Sequence, residues 1–129
     1  MKITQMNSTM LAFVGDSFYD LKIRERLVRL GINKPSRLQQ LAVKYVSANG
    51  QASALKSLIE EGFLNEAELT IVKKGRNTKS KTIPKNVDIL TYTQSTAFEA
   101  LIGYLYLTEQ FERVEQIIWR SIELKEVRE

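Results

Sequence analysis

The chain has 129 residues, 43% hydrophobic and 26% charged, with a net charge of +4 and neither Cys nor His. That length supports one domain, 1–129, with a core of its own. The missing Cys excludes disulfides, thiolate metal sites and thiol nucleophiles, and the missing His removes the commonest general base and metal ligand. Chemistry is left to carboxylates, Lys, Tyr, Ser or Thr, and to a hard cation held by oxygen. The opening "MKITQMNSTM" has no apolar run of leader type, and no uncharged segment is long enough to span a bilayer. A cytoplasmic protein with no membrane attachment is expected.

In chain order, the first predicted helix runs from about Asn7 or Ser8 to Leu30, with Ser8 as cap and Gly31 as stop. Leu11, Val14, Phe18, Leu21 and Val28 share one face, while Phe13, Ile23, Leu27 and Leu30 add apolar surface elsewhere. A helix apolar over so much of its circumference is buried on several sides, or at an interface. Ser36 is the expected cap of a second helix through about Val46. "SANGQAS" interrupts the pattern, and a third helix continues to Gly62. Asn65 caps a fourth, "EAELTIVKK", with Glu66 and Glu68 in its first turn, where the helix dipole favours acids. A basic loop at about 75–93 follows, then a fifth helix from about Gln94 to Thr108 and a sixth from about Phe111 to Val127. No alternating run reads as a strand, so the fold class is all-α.

Two features stand out against this frame. The stretch "KKGRNTKSKTIPK" holds Lys73, Lys74, Arg76, Lys79, Lys81 and Lys85 with no acid, and without those six the chain would be net negative. Its Gly, Asn, Ser and Pro mark it as loop. The other feature is a carboxylate beside or near a glycine in each of two apolar helices: Asp16 after Gly15 in "LAFVGDSFYD", and Glu99 one turn before Gly103 in "STAFEALIGYLYL". A mid-helix Gly costs ~1 kcal/mol relative to Ala, and an ionised group on an apolar surface costs more. If the two helices pack together, the glycines permit close approach and the acids share one small volume. Such a pair favours a cation, and Mg²⁺ suits oxygen ligands and phosphate chemistry. Taken singly, each acid reads equally as a solvated or hydrogen-bonded helix residue, and the basic run as a solvated loop.

"LAFVGDSFYD" resembles the signature helix of the ribonuclease III family, and "TAFEALIGYLYL" resembles that family's second acidic helix. The "YVSANGQA" and "KKGRN" stretches between them resemble the Mini-III branch, which has the catalytic domain without an appended double-stranded-RNA-binding domain. The resemblance spans roughly residues 8–125. It implies a ribonuclease III-like helical endonuclease domain of about six helices, dimerising through the signature helix. Asp16 then matches the catalytic aspartate and Glu99 the metal-binding glutamate of the second helix. Phe13 matches the aromatic that packs into the partner subunit of a homodimer. Asp20 stands where the signature ends in an acid, and it and Thr96 would be outer supports. The first glutamate of the longer ribonuclease III pattern is replaced by Ala12, and the second helix's aspartate by Thr96. Fewer ligands favour one firmly held Mg²⁺ per site, with Mn²⁺ as a substitute.

The implied reaction is hydrolysis of a phosphodiester in double-stranded RNA. The implied substrate is a precursor of large-subunit ribosomal RNA, a role that leaves room for a ribosomal-protein helper. Lys73, Lys74, Arg76, Asn77, Lys79, Lys81 and Lys85 would bind the RNA, whose A-form duplex is recognised through phosphates, 2′-hydroxyls and shape. Two other classes compete with this reading. A non-catalytic double-stranded-RNA-binding or ribosome-assembly protein on the same fold would usually lack the paired acids. A helical DNA-binding module would carry its basic residues on a recognition helix rather than in a Gly- and Pro-containing loop.

Overall fold

The computed structural model describes residues 2–3, 6–78 and 85–128, the side chains of 127 and 128 excepted. Among them are six helices: α1 (Ser8–Arg29), α2 (Pro35–Val46), α3 (Ala48–Glu61), α4 (Glu66–Arg76), α5 (Ile89–Leu107) and α6 (Phe111–Arg128).

Local chemistry explains their ends, and it corrects several expectations. Asn7, not Ser8, caps α1, its side chain accepting from the Met10 amide at 2.9 Å, while Ser8 is already helical and buried. The second helix opens on Pro35 with no side-chain cap, so Ser36 lies inside it; proline suits a first helical position because its absent N–H has no partner there anyway. "SANGQAS" is not a break. Ser47 alone separates α2 from α3 and caps the latter by accepting from the Gly50 amide at 3.1 Å. Gly50 is helical, and its lack of a side chain lets the end of α2 come close: a Cβ there would lie 2.2 Å from the Lys44 carbonyl oxygen. The fourth helix reaches Arg76 and the fifth starts at Ile89, capped by Asp88, so the two helices take in both ends of the stretch 75–93 expected as loop, of which 79–84 lie outside the described residues. Ile89 and Leu90 are exposed, which is why apolar periodicity did not reveal that first turn.

The expected fourth-helix cap holds and is doubled. Asn65 and Glu68 form a reciprocal capping box. Glu68 is buried, and its carboxylate also accepts from Arg113 of α6, at 2.7 Å from Nε and 2.8 Å from Nη2. Arg113 Nη2 donates in addition to the Phe63 carbonyl at 2.7 Å, and the guanidinium lies over the Phe63 ring. The first turn of α4 is therefore clamped to α6.

Helix α5 is the hub, packing against α1, α3, α4 and α6. Ala97, Phe98, Ala100, Leu101, Ile102, Gly103 and Leu105 are all buried, and Glu99 is the half-buried acid among them. The core gathers Tyr19, Ile23 and Leu27 of α1, Leu55 and Leu58 of α3, and Val114, Ile117, Ile118 and Ile122 of α6 around it. Tyr19 meets Phe98 edge-on, ring centroids 4.9 Å apart. The buried face of α1 is thus not the expected one. Ala12, Gly15, Tyr19, Ile23 and Leu27 face the core, whereas Leu21 and Val28 are exposed on the opposite side. At Gly15 that inner face has no side chain, because the α5 backbone comes too close there for one.

Candidate active site

The crossing of α1 and α5 is made by main chain. A Cβ on Gly15 would sit 1.8 Å from the Glu99 carbonyl oxygen and 2.7 Å from the Gly103 nitrogen. A Cβ on Gly103 would sit 1.9 Å from the Leu11 carbonyl oxygen. Two glycines therefore let two helical backbones touch, and the touching atom on α5 belongs to Glu99 itself. Asp16 follows Gly15 directly, so the contact delivers both carboxylates to one place.

That place is an open cleft of about 600 Å³, lined by Thr9, Ala12, Phe13 and Asp16 of α1, Gly75 and Thr78 at the end of α4, and Ile89, Tyr92, Thr93, Thr96 and Glu99 of α5. Gly75 plays a third close-packing part, since a Cβ on it would lie 2.7 Å from the Ala97 Cα. It presses the last turn of α4, which also carries Lys73, Lys74 and Arg76, onto α5. All three are exposed, and Arg76 Nε is steadied by the Gln94 side-chain oxygen at 2.9 Å.

The electrostatics at the floor are unusual. Burial, reinforced by the Asp16 carboxylate alongside, pushes the Glu99 carboxyl up to about 9, against a smaller pull downward from the Gln51 amide. Among the described residues no third Asp or Glu joins the pair in a ligand-like cluster.

The fold and the crossing have counterparts. A Ribonuclease III domain profile matches residues 9–110 of the chain. Mini-ribonuclease 3 of Enterococcus faecalis is 47% identical over 88% of this chain and 86% of its own length. Mini-ribonuclease 3 of Streptococcus pneumoniae is 47% identical over 90% and 91%. A crystal structure of a Fusobacterium nucleatum protein superposes with a TM-score of 0.84 at 31% identity, covering 95% of this chain and 99% of that one. The chain belongs to the Mini-III branch of the ribonuclease III family.

The positions that the Mini-III pattern singles out fall unevenly around the cleft. Asp16, Glu99, Thr96 and Phe13 line it. Asp20 does not; its carboxylate accepts from Arg24 Nε at 2.9 Å, one turn further along α1. Lys73, Lys74, Arg76, Asn77 and Lys85 are exposed, and Lys79 and Lys81 lie outside the described residues. Gln51, Ser95, Gly75 and Gln94 had been given no part in the site. Gln51 left a trace in the sequence, a large amide in register with Ala54, Leu55 and Leu58 on the buried side of α3.

The raised Glu99 value carries a prediction for the Mini-III fold without metal. The folded-state value lies above the ordinary 4.5, so this carboxyl's contribution to stability is whole below pH 4.5 and is lost as pH rises towards 9. In EDTA, Glu99→Gln is expected to gain on wild type across that window, by at most about 1.4 kcal/mol per pH unit. Thermal melts of the two proteins that shift in parallel with pH would show that the Glu99 carboxyl is not raised.

Proposed function

We propose that this Mini-III chain is a Mg²⁺-dependent endoribonuclease acting on double-stranded RNA, with Asp16 and Glu99 as its catalytic and metal-holding pair. The observation that carries the reading is the carboxylate pair lining one open cleft, together with the exposed Lys73, Lys74 and Arg76 on the helix turn whose Gly75 lines the same cleft. The donor set fits the ion: it is all oxygen, and a half-buried carboxyl beside a second acid gains from a nearby positive charge. Asp16 and Glu99 would hold Mg²⁺, or Mn²⁺ in its place. Bound there, the ion supplies Lewis-acid charge for the scissile phosphate and acidifies a water, which is why no histidine is required.

The protein's own groups divide the remaining work. Gly15 and Gly103 fix the spacing of the acids through the backbone. Asp16, the more exposed of the two, would orient a nucleophilic water, and the half-buried Glu99 would be the anchor. Lys73, Lys74 and Arg76 would bind backbone phosphates together with Asn77, and Lys79, Lys81 and Lys85 extend the same charge run in the sequence. Replacing Lys79 and Lys81 together with Ala is expected to flatten the slope of log affinity against log salt by about two. An unchanged slope takes that segment out of the interface.

A homodimer follows from the same reading. Met10, Phe13, Leu21 and Val28 recur on one face of α1, opposite the core, and are 40, 79, 61 and 59% exposed. So long an apolar stripe on the outside of a helix marks an interaction face, and a second copy presenting its own α1 would cover it. In sedimentation, wild type is expected to run as a dimer and Phe13→Asp as a monomer; equal behaviour of the two removes Phe13 from the interface. Two clefts in one dimer would cut both strands of a duplex.

Maturation of large-subunit ribosomal RNA in the cytoplasm is the role that Mini-III membership supports, with a ribosomal-protein helper as a further partner. No helix among the described residues is long and apolar enough to cross a membrane. The test of function is an end-labelled RNA duplex incubated with Mg²⁺, with matching duplex DNA alongside. Cutting of RNA alone, abolished by EDTA, is the expected result. Shifting of the RNA without cutting, on a ribosomal-RNA precursor duplex as well, returns the chain to the non-catalytic reading.

A further inference from the structure

Gln51 is 1% exposed, a large amide inside a helical core. Every polar atom of its head group is engaged. Nε2 donates to the Val46 carbonyl at 3.3 Å and to Glu99 Oε2 at 3.3 Å, while Oε1 accepts from Ser95 Oγ at 2.6 Å. These partners leave the amide one orientation. A carbonyl only accepts, so the NH₂ must face Val46, and the Ser95 hydroxyl then donates to the opposite oxygen. Val46 is the last residue of α2, and its carbonyl has no partner within its own helix. One side chain from α3 thus ties the end of α2 to two successive turns of α5, and the arm that reaches furthest ends on a site carboxylate.

We infer that Gln51 is a positioning residue for Glu99, holding one carboxylate oxygen from beneath so that the other is presented to Asp16 and to a divalent cation between them. This inference rests on the metal-holding reading of the pair. Its chemistry suits the task. A neutral amide adds no charge to a site that already has two acids, whereas a lysine would compete with the cation. A carboxylate loses rotamer freedom when one oxygen is fixed, and partners in the layer behind a metal ligand typically change affinity by roughly 10–100-fold. The network has no loose end, since among the described residues no buried side-chain polar atom lacks a partner; a fully satisfied buried network is stiff. Ser95 sits one turn before Glu99 on the same helix and steadies the amide from the far side.

The experiment titrates Mn²⁺ alone into the full chain without RNA, read by electron paramagnetic resonance. Wild type, Asp16→Asn, Gln51→Leu, Ser95→Ala and the Gln51→Leu/Ser95→Ala double variant are compared, with circular dichroism to confirm folding. Gln51→Leu is expected to weaken Mn²⁺ roughly 10–100-fold. Ser95→Ala should weaken it less, and the double variant no more than Gln51→Leu, because the serine acts through the amide. In cleavage, kcat at limiting Mn²⁺ falls and recovers as Mn²⁺ is raised, while KM for the RNA duplex stays at the wild-type value. Folded Gln51→Leu with unchanged Mn²⁺ affinity overturns the inference, as does a raised KM with unchanged metal binding. If Gln51→Leu does not fold, unchanged Mn²⁺ affinity in Ser95→Ala overturns it instead. Loss of the underlying reading looks different: wild type itself then binds no Mn²⁺, or Asp16→Asn binds it as well as wild type.

Discussion

Asp16→Asn is expected to lower cleavage of duplex RNA by roughly a thousandfold while leaving RNA binding intact. The substitution keeps size and shape on an exposed position of α1, so folding is not at issue. On the proposed reading, what disappears is one of two anionic oxygen donors, and with it the firm hold that the pair would have on Mg²⁺. A Lewis-acid cation contributes several kcal/mol to stabilising charge at a phosphoryl transition state, and each 1.4 kcal/mol is a factor of ten in rate. Binding should persist because Lys73, Lys74 and Arg76 are untouched, and removing a negative charge from the cleft favours a polyanion. Gel shifts and cleavage on the same labelled duplex separate the two effects. Cleavage within tenfold of wild type would move catalysis away from Asp16.

Gly15→Ala should be the most damaging single-carbon change in the molecule. The added Cβ would fall 1.8 Å from a main-chain oxygen of α5, and neither helix has a flexible side chain there to yield. The helices must part by more than an ångström. Overpacking of a tight contact costs about 1–3 kcal/mol and sometimes more, and a rigid backbone neighbour puts this case at the upper end, even after the ~1 kcal/mol gained in helix propensity. A drop in Tm of roughly 10 °C is expected for a chain of this length. Parting the helices also separates Asp16 from Glu99, and a misplacement of about 1 Å can cost about a hundredfold in rate. Ser17→Ala, exposed on the same helix, is the control and should change neither quantity. A Gly15→Ala protein that melts with wild type would show that the crossing is looser than its backbone contacts indicate.

These two sites also show what could be read from residue order alone. Gly15-Asp16 and Glu99 before Gly103 were legible because each breaks a local rule, a flexible residue and a charge inside an apolar helix. Such conflicts survive only where tertiary structure rewards them. The α4 cap was legible because Asn65 and Glu68 act within one turn. The inner face of α1 was not. Apolar residues lie on opposite sides of that helix, and the core chose the side with Ala12 and Gly15 because the neighbour is a backbone, a fact about α5 rather than α1. The start of α5 was hidden for a related reason: Asp88 caps it, but Ile89 and Leu90 point outward and carry no periodic signal. Gln51 was visible as a residue of the "YVSANGQA" segment, yet its partners lie on α2 and α5, and Ser95 and Glu99 are brought to it only by folding.

The clamp of Glu68 on Arg113 has a mechanical meaning. Helix α4 is a shelf rather than a free arm: its root is bolted to α6, the rest lies along α5, and its last turn carries Lys73, Lys74 and Arg76. At 1.5 Å per residue it is about 16 Å long, stiffened near the tip where Gly75 rests on Ala97. The exposed positive charge of that last turn is therefore held on a rigid mount, whose bearing on α6 lies at the opposite end of the helix.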